Sequence, residues 1–270
     1  MLERQCAFGP RVPGTAAHDS CFAWLASRFR AYASVIEVDT FSYDSPEFGR
    51  EVRLMNLTAR FRPQAKERIL FGAHWDSRAW ADRDPDPAKR KNPVLGANDG
   101  ASGVAVLLEV ARVLKKTGTP IGVDLVLFDG EDMGTDENPN GWFRGSTRYV
   151  DRLGESRPLF VIVVDMVGKK DLNLSWEANS REQASNIVDL VWQEARELGI
   201  KNFRSTPGPK VFDDHIPFLN ASIPAIDLID FAFPEWHTTK DLPRLCSPQS
   251  LEAVGTVLVS LATKASFLSR

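Results

Sequence analysis

The 270-residue chain has no apolar run long enough to form a membrane-spanning helix, which excludes that class. Its opening residues, Met-Leu-Glu-Arg-Gln-Cys, carry no secretory signal. The expectation is therefore either a cytoplasmic protein or an exported one whose leader has been removed. An excess of one charge is also missing. There are 33 Lys and Arg against 36 Asp and Glu, and the net charge of −3 argues against nucleic acid or anionic membrane as a partner. Only three cysteines occur, Cys6, Cys21 and Cys246. They lack zinc-site spacing, describe no disulfide framework and leave one over in any pairing. No internal repeat and no break in composition marks a linker, so one domain over residues 1–270 is expected.

What is present suits a globular protein with a sizeable core, at 43% hydrophobic and 26% charged. The stretch 123–132, Val-Asp-Leu-Val-Leu-Phe-Asp-Gly-Glu-Asp, organises the rest. Its branched apolar run, broken only by Asp124, predicts a buried strand. Asp129-Gly130 is turn chemistry, and Glu131 and Asp132 follow at once. In an open α/β sheet, ligands sit just beyond the carboxyl ends of the strands. Such a pair can divide labour, one acid binding a metal while its neighbour moves protons. Taken alone it reads as a solvated acidic turn. The same pattern recurs, however. A strand at 68–74 ends in His74-Trp75-Asp76, one at 159–165 ends on Asp165, Asp99 sits in a Gly-rich loop before an apolar helix, and a late loop supplies His237.

Between these points the periodicity predicts a helix over 16–30 capped by Thr15, with His18 as a surface or capping residue. Residues 35–43 and 52–61 alternate as two half-buried strands, an antiparallel pair at a sheet edge. The Pro/Gly-rich arm 8–14 is expected to wrap over the surface. A polar loop spans 78–92, long enough to suggest function. Further expectations are an apolar helix at 104–114, a loop at 133–144 containing Trp142, and a helix starting at Gly145. An edge strand at 172–176, an amphipathic helix at 183–198 and a Pro/Gly loop come next. A core strand at 225–229 contains Asp227, and Ser247-Pro248 opens a final helix to about Phe267. Strands and helices alternate throughout. The fold class is therefore read as α/β, a three-layer α/β/α sandwich with a mixed, mainly parallel central sheet.

Carboxylates and imidazoles from separate strand ends suit Zn²⁺, and three protein ligands leave a position open for substrate. Each member has a plain alternative: Asp99 as a helix cap, Asp165 as a strand-end turn residue, His237 as a packed loop histidine. Jointly, an acid or His at every one of these ends favours the metal. Trp75 and Trp142 read as entrance-lining or core residues. His215 reads equally as a structural hydrogen-bonding group or a substrate contact. The stretch Asp82-Arg-Asp-Pro-Asp-Pro87 is better taken as a solvated loop than as a calcium site.

Six motifs occur in order: Gly72-Ala-His-Trp-Asp-Ser77, Gly96-Ala-Asn-Asp-Gly-Ala-Ser-Gly103, Phe128-Asp-Gly-Glu-Asp132, Val164-Asp-Met-Val-Gly168, Asp213-Asp-His-Ile-Pro-Phe218 and Phe233-Pro-Glu-Trp-His-Thr238. As a set they resemble the glutaminyl cyclases (glutaminyl-peptide cyclotransferases), which share the fold of the bacterial zinc aminopeptidases. The arm Phe8-Gly-Pro-Arg-Val-Pro-Gly14 also resembles that family's N-terminal stretch, so the likeness covers nearly the whole chain. The resemblance implies Asp99, Asp132 and His237 as ligands of one Zn²⁺ and Glu131 as the proton-transferring acid/base. Asp165 and Asp213 would form an acid network beside it, and Trp236 a pocket wall. Asp132 stands where animal cyclases have Glu, and the shorter arm fits bacterial-type members. Asp227 stands where animal cyclases carry a His.

The implied reaction converts the N-terminal glutamine of a peptide or protein to pyroglutamate with release of ammonia. The rival is a zinc aminopeptidase with two metals, in which His74 and Asp165 join a bridging Asp99. Trp236 directly before His237 favours the cyclase. A catalytically silent binder of peptide N-termini would have no use for Glu131. A monomer is the default expectation.

Overall fold

The alternating segments form the outer hairpin of the sheet. In the computed structural model, which describes residues 1–154 and 156–264, β1 (Val35–Ser45) and β2 (Arg50–Phe61) pair antiparallel along their whole length. The continuous apolar runs form the interior. These are β3 (Arg68–His74), β4 (Gly122–Phe128), β5 (Val161–Asp165) and, after the short β6 (Leu174–Trp176) and β7 (Phe203–Pro207), β8 (Ala225–Ile229). Every residue of β3, β4, β5 and β8 is buried, as strands covered on both faces require. The sheet order is β1-β2-β4-β3-β5-β8, with β4, β3, β5 and β8 mutually parallel and β2 antiparallel to β4.

The helices are α1 (Leu2–Cys6), α2 (Ala16–Arg30), α3 (Ala101–Thr117), α4 (Arg144–Asp151), α5 (Ala178–Gln183), α6 (Ser185–Glu197), α7 (His215–Asn220) and α8 (Pro248–Lys264). One layer is built around α3, which packs on β3 and β5 and is flanked by α2 and α8; α4 and α7 pack together as the other. The expected α/β/α sandwich is what forms. Among the described residues no helix is long and apolar enough to cross a membrane. Gly103 sets how closely α3 approaches: a Cβ there would meet the Val164 carbonyl oxygen at 2.0 Å. The helix thus rests directly on the backbone of β5, which places the preceding turn, with Asp99, over the end of that strand.

Several expectations change. The arm lies over the surface with Phe8 to Pro10 half-buried and Gly14 exposed, but it is anchored inward at Arg11, which is fully buried. Its guanidinium donates to the carbonyls of Trp75 (2.9 Å), Leu95 (2.7 Å) and Gly96 (2.8 Å), tying together two loops whose oxygens have left the sheet. His18 is not a surface residue. It shares the inner face of α2 with Phe22, Leu25 and Phe29, stacks on Trp75 at 4.2 Å between centroids, and places Nε2 2.9 Å from Asp129 Oδ1. The Thr15 cap stands, accepting from His18 N. The segment 172–176 is an edge strand of a separate two-stranded ribbon, and its partner β7 lies in what reads as a Pro/Gly loop. The expected helix 183–198 begins earlier and breaks at Ala184 into α5 and α6, the first capped by Glu177. The expected last residues of the final helix, 265–267, lie outside the described residues.

Asp124, the one break in the β4 run, faces Arg68 in a two-pronged pair at 2.8 Å for each bond, with Arg60 at 3.6 Å. Both Arg68 and Asp124 are buried. Removing one partner strands the other charge, so Asp124→Ala is expected to destabilise the fold by about 3–5 kcal/mol in urea titrations, whereas a loss below about 1 kcal/mol would mean the pair is solvated like a surface bridge.

Candidate active site and metal centre

The parallel register brings the strand ends to one edge of the sheet, His74 lying opposite Phe128 and Asp165 opposite Ile229. Turns with left-handed residues deliver the side chains there: Gly130 (φ 71°) before Glu131, Met166 (φ 49°) after Asp165, and His237 itself (φ 54°). Positive φ is uncommon outside glycine and concentrates at functional sites.

The Glu131-Asp132 main chain is fixed before its side chains act. Asp76 Oδ1 accepts from Glu131 N and Asp76 Oδ2 from Asp132 N, both at 3.2 Å. Two residues earlier, Asp129 accepts from Met55 N at 2.6 Å while its own N–H donates to Asn56 Oδ1 at 3.0 Å, with His18 closing the far side. Each of these anchors is buried.

Asp99, Asp132 and His237 offer ligand atoms that all lie within 4.8 Å of one another. His237 Nε2 is 3.2 Å from Asp132 Oδ1 and 3.7 Å from Asp99 Oδ2. Asp132 Oδ2 is buried with no hydrogen-bond partner. A lone carboxylate oxygen of this kind calls for a cation, and one nitrogen with two carboxylates is a zinc donor set. Supporting contacts lie behind the ligands: Asp82 Oδ1 is 3.5 Å from His237 Nδ1, and Asp241 accepts from Asn98 N (2.8 Å) and Asp99 N (3.0 Å). A second group, His74, Asp99 and Asp165, shares Asp99. There, His74 Nε2 lies 3.1 Å from Asp99 Oδ1 and 3.2 Å from Asp165 Oδ1, and its Nδ1 3.4 Å from Asp76 Oδ1.

Above these groups opens a cavity of about 680 Å³. Glu131, Asp165 and Asp213 line it, and Trp142 and Trp236 form its walls. Trp236 stacks on the His237 ring with centroids 3.9 Å apart. Burial pushes the Glu131 carboxyl well above the ordinary carboxylate range; His74 opposes this, and Asp213, Asp132 and Asp214 add to it. Burial and the Asp165 charge raise Asp213 to about 6. Asp227 lies behind, fully buried, and neither of its carboxyl oxygens has a hydrogen-bond partner among the described residues. Desolvation, then the charges of Asp213 and Asp165, drive it well upward, away from the charged form.

The structure therefore gathers Asp99, His237, Glu131, Asp165, Asp213, Trp142 and Trp236 around one cavity, with Asp132 against His237 and His74 against Asp99 and Asp165. His215 is not brought to it: the ring is buried, 3.3 Å from Glu177 Oε2, and does not line the cavity. Trp75 is core. The segment 82–87 is less solvated than expected, for Asp84 is buried and accepts from Thr239 N (3.0 Å) and Oγ1 (2.6 Å), bracing the His237 loop. Sequence reasoning missed Asp76, Arg78, Asp82, Asp214 and Asp241. Asp76 lay within a quoted motif and Asp82 within the polar loop, but nothing local marked either as a partner of residues 50 to 160 positions away.

A model described as Peptidase family M28 matches residues 56–262. A Drosophila melanogaster glutaminyl-peptide cyclotransferase is 26% identical over 259 residues, covering 86% of this chain and 70% of that protein. Among solved structures, Porphyromonas gingivalis glutaminyl cyclase matches with a TM-score of 0.91 and 35% identity, over 96% of this chain and 93% of its own. A leucine aminopeptidase precursor from Bacteroides thetaiotaomicron matches with a TM-score of 0.93 and 33% identity, over 97% of this chain and 93% of its own.

Because Asp76 alone accepts both N–H groups of the acid pair, Asp76→Ala is expected to weaken zinc retention by about 10–100-fold in chelator competition; unchanged retention would show that the turn holds its shape without the clasp.

Proposed function

We infer that this chain, which belongs to peptidase family M28, is a glutaminyl-peptide cyclotransferase that closes the N-terminal glutamine of peptides to pyroglutamate and releases ammonia. The observation that carries the reading is Glu131: a carboxyl without a ligating role of its own, poised beside a three-ligand metal set in a Trp-walled cavity. Among the described residues, none lining that cavity is Ser or Cys. The reaction needs neither, since the nucleophile is the substrate's own α-amine.

Asp99, Asp132 and His237 would hold the ion. When bound, Zn²⁺ supplies Lewis-acid polarisation of the γ-carbonyl. Glu131 accepts the proton that the α-amine loses as it attacks the γ-carbon, then gives it to the departing amide nitrogen. Its raised affinity for protons, a product of burial, brings it nearer the working pH and makes the return step feasible. Asp165, Asp213 and Asp227 form a buried acid layer beneath. Trp236 and Trp142 bound the space in which the glutamine side chain must curl, favouring the cyclising conformer and limiting water at the carbonyl.

One ion per chain is assigned. His74 Nε2 already sits within hydrogen-bonding distance of both Asp99 and Asp165, whereas Asp132 Oδ2 has no partner. The second group of His74, Asp99 and Asp165 is the observation that favours the aminopeptidase reading, which needs two ions. Residues 1–270 are taken as one catalytic unit, active as a monomer.

A Gln-initiated peptide should release ammonia and gain a blocked N-terminus, while a Leu-initiated peptide should remain intact; release of free leucine without cyclisation would overturn the assignment. Elemental analysis should find one zinc per chain, and two tightly held ions would point to the peptidase. Glu131→Gln should lower turnover by about 10²–10⁴-fold with zinc content unchanged; loss of the metal instead would mean that the roles of Glu131 and Asp132 are reversed.

A further inference from the structure

Two of the three proposed ligands belong to a closed circuit of side chains that runs through Arg78. Its guanidinium is buried. Nη1 donates to Asp132 Oδ1 at 3.0 Å, while Nε and Nη2 donate to Asp82 Oδ1 (2.6 Å) and Oδ2 (3.0 Å). Asp82 Oδ1 lies 3.5 Å from His237 Nδ1, and His237 Nε2 returns to Asp132 Oδ1 at 3.2 Å. The same Nη1 reaches the carbonyls of Asp132 (3.3 Å) and Gly134 (3.1 Å), so it holds the main chain beyond the ligand as well. Trp142 and Trp80 bracket the guanidinium, with Cζ 4.9 Å and 5.5 Å from their ring centroids.

An arginine bonded to a metal-ligating carboxylate draws charge away from it, which by itself opposes cation binding. The compensation must come from geometry and from its partner. Arg78 holds Asp132 through Oδ1 and leaves Oδ2 as the free acceptor. Asp82 neutralises Arg78 and sets a carboxylate oxygen 3.5 Å from His237 Nδ1, a charge that favours the proton on Nδ1 and so leaves the Nε2 lone pair available. Each half is of little use without the other: Arg78 without Asp82 is a surplus buried cation, and Asp82 without Arg78 is a carboxylate free to swing.

We propose that Arg78 and Asp82 act as a single positioning unit for the metal, aligning Asp132 and His237 so that one oxygen and one nitrogen face the same ion. This rests on the metal assignment made above. Neither residue is a catalytic group.

The test measures zinc affinity by competition with a chromophoric chelator for the wild type, R78M, R78K, D82N, R78M/D82N and D132A, with melting of the zinc-free proteins as the control for folding. R78M and D82N should each weaken zinc binding by about 10–100-fold, and the double variant should lie near the weaker single rather than at the product of the two. R78K should resemble R78M, because an ammonium cannot present the planar fork to both carboxylates. The Asp82 side chain is 36% exposed and Asn keeps its shape, so D82N should still fold, with at most a lowered apo melting temperature, and carries the test if R78M does not fold. Affinities of R78M and D82N within about threefold of wild type, a double variant at the full product, or wild-type affinity in R78K would each overturn the positioning unit. D132A separates the two levels: if it loses zinc while D82N does not, only the unit is wrong, and if it keeps zinc, the metal assignment itself falls.

Discussion

The carboxyl edge of the sheet is governed by the cost of burying acid. Asp76, Asp99, Asp129, Glu131, Asp132, Asp165, Asp213, Asp214, Asp227 and Asp241 are all buried there, and an unpaired buried carboxylate costs several kcal/mol. The chain meets this in three ways. Cationic or imidazole groups face some acids, as Arg78 faces Asp132 and His18 faces Asp129. Main-chain N–H groups satisfy others, notably Asp76 and Asp241. A third set is pushed toward the protonated form, with Asp213, Asp214, Asp227 and Glu131 all raised by desolvation first. Asp132, whose charged form is favoured, still has no partner at Oδ2, and the proposed zinc would supply one.

The division of the pair Glu131-Asp132 follows from its surroundings rather than from its chemistry. Asp132 turns toward His237 and Arg78, both of which favour its charged form. Glu131 turns into the cavity, where neighbouring acids and dryness favour the proton. Adjacent carboxyls with opposed environments would let one short turn provide both an anion for the proposed metal and a base for the proposed substrate. The fold makes this possible by placing β3 between β4 and β5, so that three strand ends and the α3 turn meet at one crevice.

Much of this was legible in the sequence where the signal was local. The interior strands announced themselves as unbroken apolar runs, and the acids and His at their ends were visible because each run stops abruptly on a polar group. The ligand set and Glu131 came from the six motifs taken together. What stayed hidden was long-range. Nothing in the helix 16–30 says that His18 will lie under Asp129, 111 residues away, and its place on the apolar face was the one available clue. The arm looked like surface because Pro and Gly dominate it, yet the five donors of Arg11 pull it inward to satisfy loop carbonyls. Ribbon β6–β7 was half missed because β7 carries only one buried residue, Phe203, and so has no periodicity to read. Asp227 looked problematic as an acceptor among acceptors; burial, invisible to a motif, pushes it away from the charged form.

The central claim is that one zinc sits among Asp99, Asp132 and His237 with Glu131 beside it and not bound to it. A crystal structure of the zinc-loaded protein, with anomalous scattering recorded at the zinc edge, tests this directly. The account predicts a single strong peak at about 2.0–2.2 Å from one oxygen of each aspartate and from the imidazole Nε2, with the Glu131 carboxyl outside bonding distance. A peak enclosed by His74 and Asp165, or one ligated by Glu131, would contradict it.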